Sequence, residues 1–280
     1  NTLMFPIAVF GALRAGLIVV NTNPLYSERE MKHQFNDAGA KALVVLNTRA
    51  ASVERILPLT CIKHIFIAEM GDIHTFPKRQ LINFVVKRIK KMIPSYKLPY
   101  AVPFTAALAK GRRGHFMPHQ AKQEDLAILQ YTGGTTGVAK GAMLSHKNLI
   151  ANMQQVKAIL NQALDVGGET VVAPLPMYHI YTFTVNCMVM MRLGNHSLLI
   201  PDPRDISGFV KTLQKSKFTG FVGLNTLFVA LCNNDAFKQL NFSNLKVTIS
   251  GGMALTQAAA EQWKKVTGCD VTEGYGLTET

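Results

Sequence analysis

Eight short apolar runs, rich in β-branched residues, alternate with amphipathic stretches along this chain, and that alternation narrows the choice of folds more than any other feature. Residues 17–20, 42–46, 64–68, 126–131, 170–173, 196–200, 219–222 and 245–250 read as strands. Helical periodicity lies between most of them, at 28–38, 146–164, 206–215 and 256–266, and a further helix-like stretch opens the chain at 3–13. Parallel neighbours need a crossover connection, usually a helix, so the alternation predicts an α/β fold with mostly parallel sheets flanked by helices. Start signals support three of the helices: Ser27 ahead of Glu28 and Glu30, Ser145 ahead of 146–164, and Asp205 ahead of Ile206. Gly39 and Gly268 stand where two of them should stop. No repeat of fixed period and no low-complexity tract interrupts the pattern.

A chain of 280 residues, 48% hydrophobic and 17% charged, can bury a sizeable core and is long enough for about two lobes. Its net charge of +13 is unevenly placed: residues 73–123 carry eleven Lys and Arg and no Asp or Glu. The other 229 positions hold 19 basic and 17 acidic residues and are nearly neutral. This basic segment also contains Pro77, Pro94, Pro99, Pro103 and Pro118, and it reads as an insert or connection between a first α/β part, 1–72, and a second part, 124–280. Within it, 78–93 is helix-compatible, with Leu81, Ile82, Phe84, Val85, Val86, Ile89, Met92 and Ile93 in one sector and Arg79, Lys87, Lys90 and Lys91 opposite. Two readings fit that pattern: a helix lying on an anionic membrane, or a surface helix packed on the protein's own core. Nucleic acid is disfavoured, since no binding motif accompanies the basic run. The longest charge-free stretch, 170–191, contains Pro174, Pro176, His179 and Asn186 and is not expected to span a bilayer. Cys61, Cys187, Cys232 and Cys269 are too widely spaced for a zinc set or a dense disulfide framework, which suits a reducing cytoplasm. With no initiator Met and no basic leader before its apolar start, the chain reads as truncated there and without a signal peptide.

The most specific chemistry follows the strand at 126–131. The segment Tyr131-Thr132-Gly133-Gly134-Thr135-Thr136-Gly137-Val138-Ala139-Lys140-Gly141-Ala142 combines glycines that let backbone N–H groups approach a ligand, hydroxyl donors, and one ammonium. Such a loop can cradle polyphosphate. It is not a Walker A loop, because Lys140 is followed by Gly141, and the Rossmann glycine pattern is absent.

This segment resembles the AMP-binding signature of the adenylate-forming acyl-CoA synthetase superfamily. Gly134 and Ala139, where Ser and Pro are usual in the wider superfamily, match its bacterial long-chain fatty acid–CoA ligases. Three further matches follow in the family's order: Pro174-Leu175-Pro176-Met177-Tyr178-His179, then Ser250-Gly251-Gly252, then Gly274-Tyr275-Gly276-Leu277-Thr278-Glu279. The resemblance implies an adenylate-forming N-terminal domain, with 124–280 its nucleotide- and acyl-binding part. It implies ATP-dependent activation of a long-chain fatty acid to acyl-AMP and then acyl-CoA, with ATP, Mg²⁺ and coenzyme A required. By the same resemblance, Thr132–Gly137 and Lys140 hold the leaving phosphates, Thr278 the α-phosphate and Glu279 the Mg²⁺. Tyr275, Gly251 and Gly252 hold adenine, and His179 orients the acyl carboxylate. The family's ribose-binding Asp and small C-terminal domain with its adenylation Lys lie beyond Glu279, so the chain is expected to be a fragment that turns over poorly alone.

Single residues keep plainer alternatives. A lone His179 is more often a satisfied core or loop histidine, Tyr275 reads equally as core, and Glu279 as a solvated carboxylate. The Met-rich run at 185–191 favours core packing over an acyl tunnel. Rival functions are an adenylate-forming ligase for medium-chain, aryl or carrier-protein-bound acyl groups, and a non-catalytic basic membrane-binding protein. A cytoplasmic location is expected, with peripheral contact at the inner face of the cell membrane through 78–93, and a homodimer is left open.

Overall fold

The alternation is realised in the computed structural model, which describes residues 1–132 and 139–279, as two compact units, Thr2–Met143 and Leu144–Thr280 with Asn1. In the first, α1 (Met4–Arg14) leads to β1 (Val19–Asn21), α2 (Glu28–Asp37), β2 (Ala42–Leu46), α3 (Ala50–Ile56) and β3 (His64–Ala68). The chain continues through α4 (Lys78–Phe84), β4 (Val102–Pro103), α5 (Phe104–Arg113), β5 (Leu126–Thr132) and β6 (Lys140–Ser145). Strands β2, β3 and β4 form one parallel sheet, and a second has the order β1-β5-β6, with Val19 opposite Ile128 in the parallel β1–β5 pair. Asn21 donates to Gln130 across that pair at 3.0 Å, and the Gln34 amide of α2 donates to the Asn21 carbonyl. These buried bonds fix α2 against the strand that leads into the glycine-rich loop.

Helix α2 begins as its sequence predicts. The Ser27 hydroxyl accepts the Glu30 N–H, and the Glu30 carboxylate accepts the Ser27 N–H, a reciprocal cap that satisfies two otherwise orphaned donors. Met31 and Phe35 of α2 pack with Ile56 of α3 into a small core.

The basic segment departs from expectation. Its helix is shorter than 78–93: α4 passes into a π turn at Val85–Ile89, and Lys91 adopts a positive φ of 49° that cannot continue it. No residue of Lys78–Ile89 is fully buried: Ile82, Asn83, Val85 and Val86 are half-buried on a face that Asn83 ties to Gly71 and Glu69 and Arg79 ties to Asp72, while Leu81 and Ile89 are 63% and 66% exposed.

The second unit is a five-stranded parallel sheet of order β11-β10-β9-β7-β8. From Ser145 the chain runs through α6 (His146–Leu160), β7 (Thr170–Ala173), α7 (Ile180–Thr182), a π segment (Phe183–Val189), α8 (Met190–Leu193), β8 (His196–Leu199) and α9 (Ile206–Leu213). It continues through β9 (Gly220–Gly223), α10 (Asn225–Cys232), α11 (Asp235–Lys238), β10 (Val247–Gly251), α12 (Gln257–Thr267) and β11 (Val271–Gly274). Side-chain caps open α6, α9 and α12 at Ser145, Asp205 and Thr256, and Gly268 ends α12 at φ 74°. Phe183, Val185, Cys187, Val189 and Met190 are buried, so most of the Met-rich run is core, as expected.

At the strand starts, burial pushes the Glu169 carboxyl up, but other contacts outweigh it. The Lys246 ammonium at 2.6 Å, the Thr219 hydroxyl and the Asp165 N–H together bring it down to about 2. This ion pair ties β7 to β10. Among the described residues no helix is long and apolar enough to cross a membrane.

Candidate functional site

The residues singled out by sequence fall into two groups, one on each unit. In the first, the loop joins β5 to β6: Tyr131 and Thr132 close β5, while Lys140, Gly141 and Ala142 open β6. Gly133, Gly134, Thr135, Thr136, Gly137 and Val138 lie outside the described residues.

Both described ends of the loop are held by α2. Tyr131 is buried, and its hydroxyl donates to the Asp37 carboxylate. Burial, then that bond and the carboxylate's charge, push the Tyr131 pKa above the ordinary phenol range. Gly141 lies against the Tyr131 ring so closely that a Cβ there would come within 2.9 Å of a ring carbon, so no side chain fits without displacing the tyrosine. On the far end, His33 Nε2 sits 3.2 Å from the Ala139 carbonyl oxygen and is the donor, since a carbonyl can only accept. His33 and Asp37 are four residues apart and therefore share one face of the helix. Lys140 is exposed and has no ion-pair partner among the described residues.

In the second unit the three remaining motifs leave the carboxyl ends of parallel strands. Pro174–His179 follows β7, Gly252 follows β10, and Tyr275–Glu279 follows β11, with Gly251 and Gly274 in register on neighbouring strands. In open parallel sheets that edge is where ligands bind. His179 caps α7: its Nδ1 accepts the Tyr181 N–H at 3.3 Å, which places the ring proton of the neutral form on Nε2. Desolvation lowers the His179 pKa from its ordinary value, favouring that neutral form. Tyr181 then joins His179 to the glycine turn: its hydroxyl donates to the Ile249 carbonyl, and its ring covers Gly251, where a Cβ would meet it at 2.8 Å.

Open space lies beyond the turn. Gly252, at φ 83°, and Gly276 have no atom within 4 Å of where a Cβ would be. Tyr275 is 90% exposed, which removes the alternative that it is an ordinary core residue. Ser250, between paired neighbours in β10, is fully buried with its hydroxyl unpartnered. Glu279 is an exposed carboxylate, and no cluster of three metal-ligating side chains occurs among the described residues. That donor set fits a magnesium ion held chiefly by phosphate oxygens, which needs only one or two protein carboxylates.

These motifs are not an accidental set: residues 1–280 match the family described as AMP-binding enzymes. The chain belongs to that family. It is 51% identical over 279 residues to a long-chain-fatty-acid–CoA ligase of Escherichia coli O157:H7, matching 100% of this chain and 50% of that protein. A Bacillus subtilis long-chain-fatty-acid–CoA ligase is 33% identical, matching 98% of this chain and 48% of its own length. The chain thus spans about half the length of the curated relatives it matches. The fold is shared with an anthranilate CoA ligase solved with anthranoyl-AMP, at TM-score 0.80 and 22% identity over 97% of this chain and 48% of that one. It is shared also with a long-chain-fatty-acid–CoA ligase from Archaeoglobus fulgidus, at TM-score 0.72 and 21% identity over 100% of this chain and 51% of that one.

Helix α2 itself was legible in the sequence, but the hold of its His33 and Asp37 on the loop was not. His33 and Asp37 reach the loop across 106 and 94 residues, and no local signal reports contacts at that separation. The available hint was their spacing of four, which puts two polar groups on one helix face.

Proposed function

We propose that the protein carrying this chain activates a long-chain fatty acid with ATP and passes it to coenzyme A. The observation that carries this reading is the 51% identity, along the whole of this chain, to a long-chain-fatty-acid–CoA ligase. In the first step a carboxylate oxygen attacks the α-phosphorus, the bond to the bridging oxygen breaks, and acyl-AMP and pyrophosphate form. In the second the thiol of coenzyme A attacks the acyl carbonyl, loses its proton, and AMP leaves.

A carboxylate meets a polyanion in that first step, so catalysis rests on neutralising and positioning charge. Residues 132–137 and Lys140 take the phosphates that leave. The Nε2–H that the neutral form of His179 carries suits a carboxylate oxygen. Tyr275 and the Gly251–Gly252 turn hold the adenine, with Thr278 at the α-phosphate and Glu279 at Mg²⁺. Glu279 would help hold Mg²⁺, which would supply positive charge against the phosphates. The assay is pyrophosphate release by the full-length protein across acids of increasing chain length. Release should rise steeply from medium to long chains; a preference for aryl or medium-chain acids would transfer the protein to another adenylate-forming activity.

We further infer that 78–93 meets an anionic membrane surface, on the inner face of the cell membrane. Half of its apolar side chains, Leu81, Phe84, Ile89 and Met92, are exposed, while Ile82, Val85, Val86 and Ile93 are half-buried, and Lys78, Lys87, Arg88, Lys90 and Lys91 flank the exposed set. Each basic residue near such a surface contributes about 1 kcal/mol. Replacing Lys87, Arg88, Lys90 and Lys91 by Gln in the full-length protein should abolish most sedimentation with phosphatidylserine vesicles at moderate salt. Undiminished sedimentation would return the helix to a solvated surface.

A further inference from the structure

Helix α2 does more than hold the loop. Beside its loop-facing side lies an open pocket of about 420 Å³ lined by Arg29, Lys32, His33, Asn36 and Asp37. The acidic residues of the helix are all engaged. Glu28 pairs with Arg55 at 2.7 Å, Glu30 closes the N-terminal cap, and Asp37 takes the Tyr131 hydroxyl. Asn36 donates to the Leu59 carbonyl. Arg29 and Lys32, in contrast, are exposed and have no ion-pair partner among the described residues. Arg29 and His33 are four residues apart, so the free guanidinium follows the same helix face as the imidazole that touches Ala139, the residue before Lys140. Asp37, which accepts the Tyr131 hydroxyl, lowers the positive potential at one end of the pocket.

We propose that Arg29 and Lys32 form an accessory binding site for a polyphosphate anion, with His33 as the positioning residue that sets it beside the loop. The inference rests on the proposed ATP-dependent ligase and adds to its loop a second, helix-borne pair of cations. A planar guanidinium can bind phosphate oxygens two at a time, while the lysine supplies a flexible point charge. Two sources offer this chemistry: the pyrophosphate end of ATP, and the phosphates of coenzyme A. A site for the first captures the departing anion as the α-phosphorus bond breaks; a site for the second docks the incoming thiol carrier.

The test compares the full-length protein with Arg29→Gln/Lys32→Gln and with Arg29→Lys, all checked for unchanged thermal unfolding. Isothermal titration with inorganic pyrophosphate reads binding without turnover, and KM is measured for ATP, coenzyme A and dephospho-coenzyme A. The double variant should bind pyrophosphate at least fivefold more weakly, with a matching rise in KM for ATP, and Arg29→Lys should keep most of the affinity. A rise confined to KM for coenzyme A, with loss of its advantage over dephospho-coenzyme A, assigns the same site to the carrier's phosphate. If neither anion responds while the parent protein still forms acyl-AMP, the accessory site is wrong and the ligase stands. If the parent forms no acyl-AMP from any fatty acid, the ligase reading fails, and the pyrophosphate titration still decides the site.

Discussion

Replacing Lys140 with alanine lowers acyl-adenylate formation by well over tenfold, about a hundredfold if the ammonium acts as one preorganised donor to developing charge. The side chain is exposed at the first residue of β6 and has no ion-pair partner among the described residues, so its loss should cost little folding energy. Its place beside Ala139, which His33 fixes, means that the charge is presented from a held backbone rather than from a free tail. The measurement is fatty-acid-dependent pyrophosphate release by the full-length variant, with circular dichroism to confirm folding. A Lys140→Arg variant retains the charge and should lie between the two, because a guanidinium restores neutralisation but not the point geometry of the amine. Unchanged pyrophosphate release from the alanine variant would remove Lys140 from the phosphate site.

What the sequence disclosed follows from where each element lies. The strands at 64–68 and 170–173 were delimited at both ends because parallel strands with buried positions are written as near-continuous apolar runs, and 42–46 was delimited as well because Ala-Leu-Val-Val-Leu is apolar throughout although no residue of it is fully buried. β6 and β11 were not foreseen, and both are edge strands. β6 is Lys-Gly-Ala-Met-Leu-Ser with only Leu144 buried, and β11 is Val-Thr-Glu-Gly with no buried residue, so neither carries an apolar signature. The basic helix was drawn too long because periodicity alone does not register the backbone reversal at Lys91. For the site, the ordered motifs located the turns at β7, β10 and β11, but not what supports them. Tyr181 covering Gly251 and α2 clamping both ends of the loop arise from packing between distant segments, which no local pattern encodes.

The largest stability effect should come from Trp263, the chain's one tryptophan, which is fully buried in α12 against the sheet that carries the Gly251–Gly252 turn. Its ring lies 4.9 Å from Phe221, 4.7 Å from Phe228 and 5.6 Å from Phe237, centroid to centroid. Its Nε1–H donates to the Thr248 hydroxyl of β10 at 2.9 Å. Trp263→Ala removes the centre of this aromatic cluster and takes away the donor at a buried hydroxyl. Large-to-small changes of this kind cost about 3–5 kcal/mol. Because domains are stable by only about 5–15 kcal/mol, the variant should unfold at a much lower urea concentration or fail to fold. Trp263→Phe keeps most of the ring volume and loses the hydrogen bond, so it should fold with a loss of about 1–2 kcal/mol, and it carries the test if the alanine variant does not fold. Urea titration followed by circular dichroism reads both changes. A midpoint unmoved by Trp263→Phe would mean that the Thr248 bond contributes nothing, and one unmoved by Trp263→Ala would mean that this cluster is not what holds β10 and its turn in place.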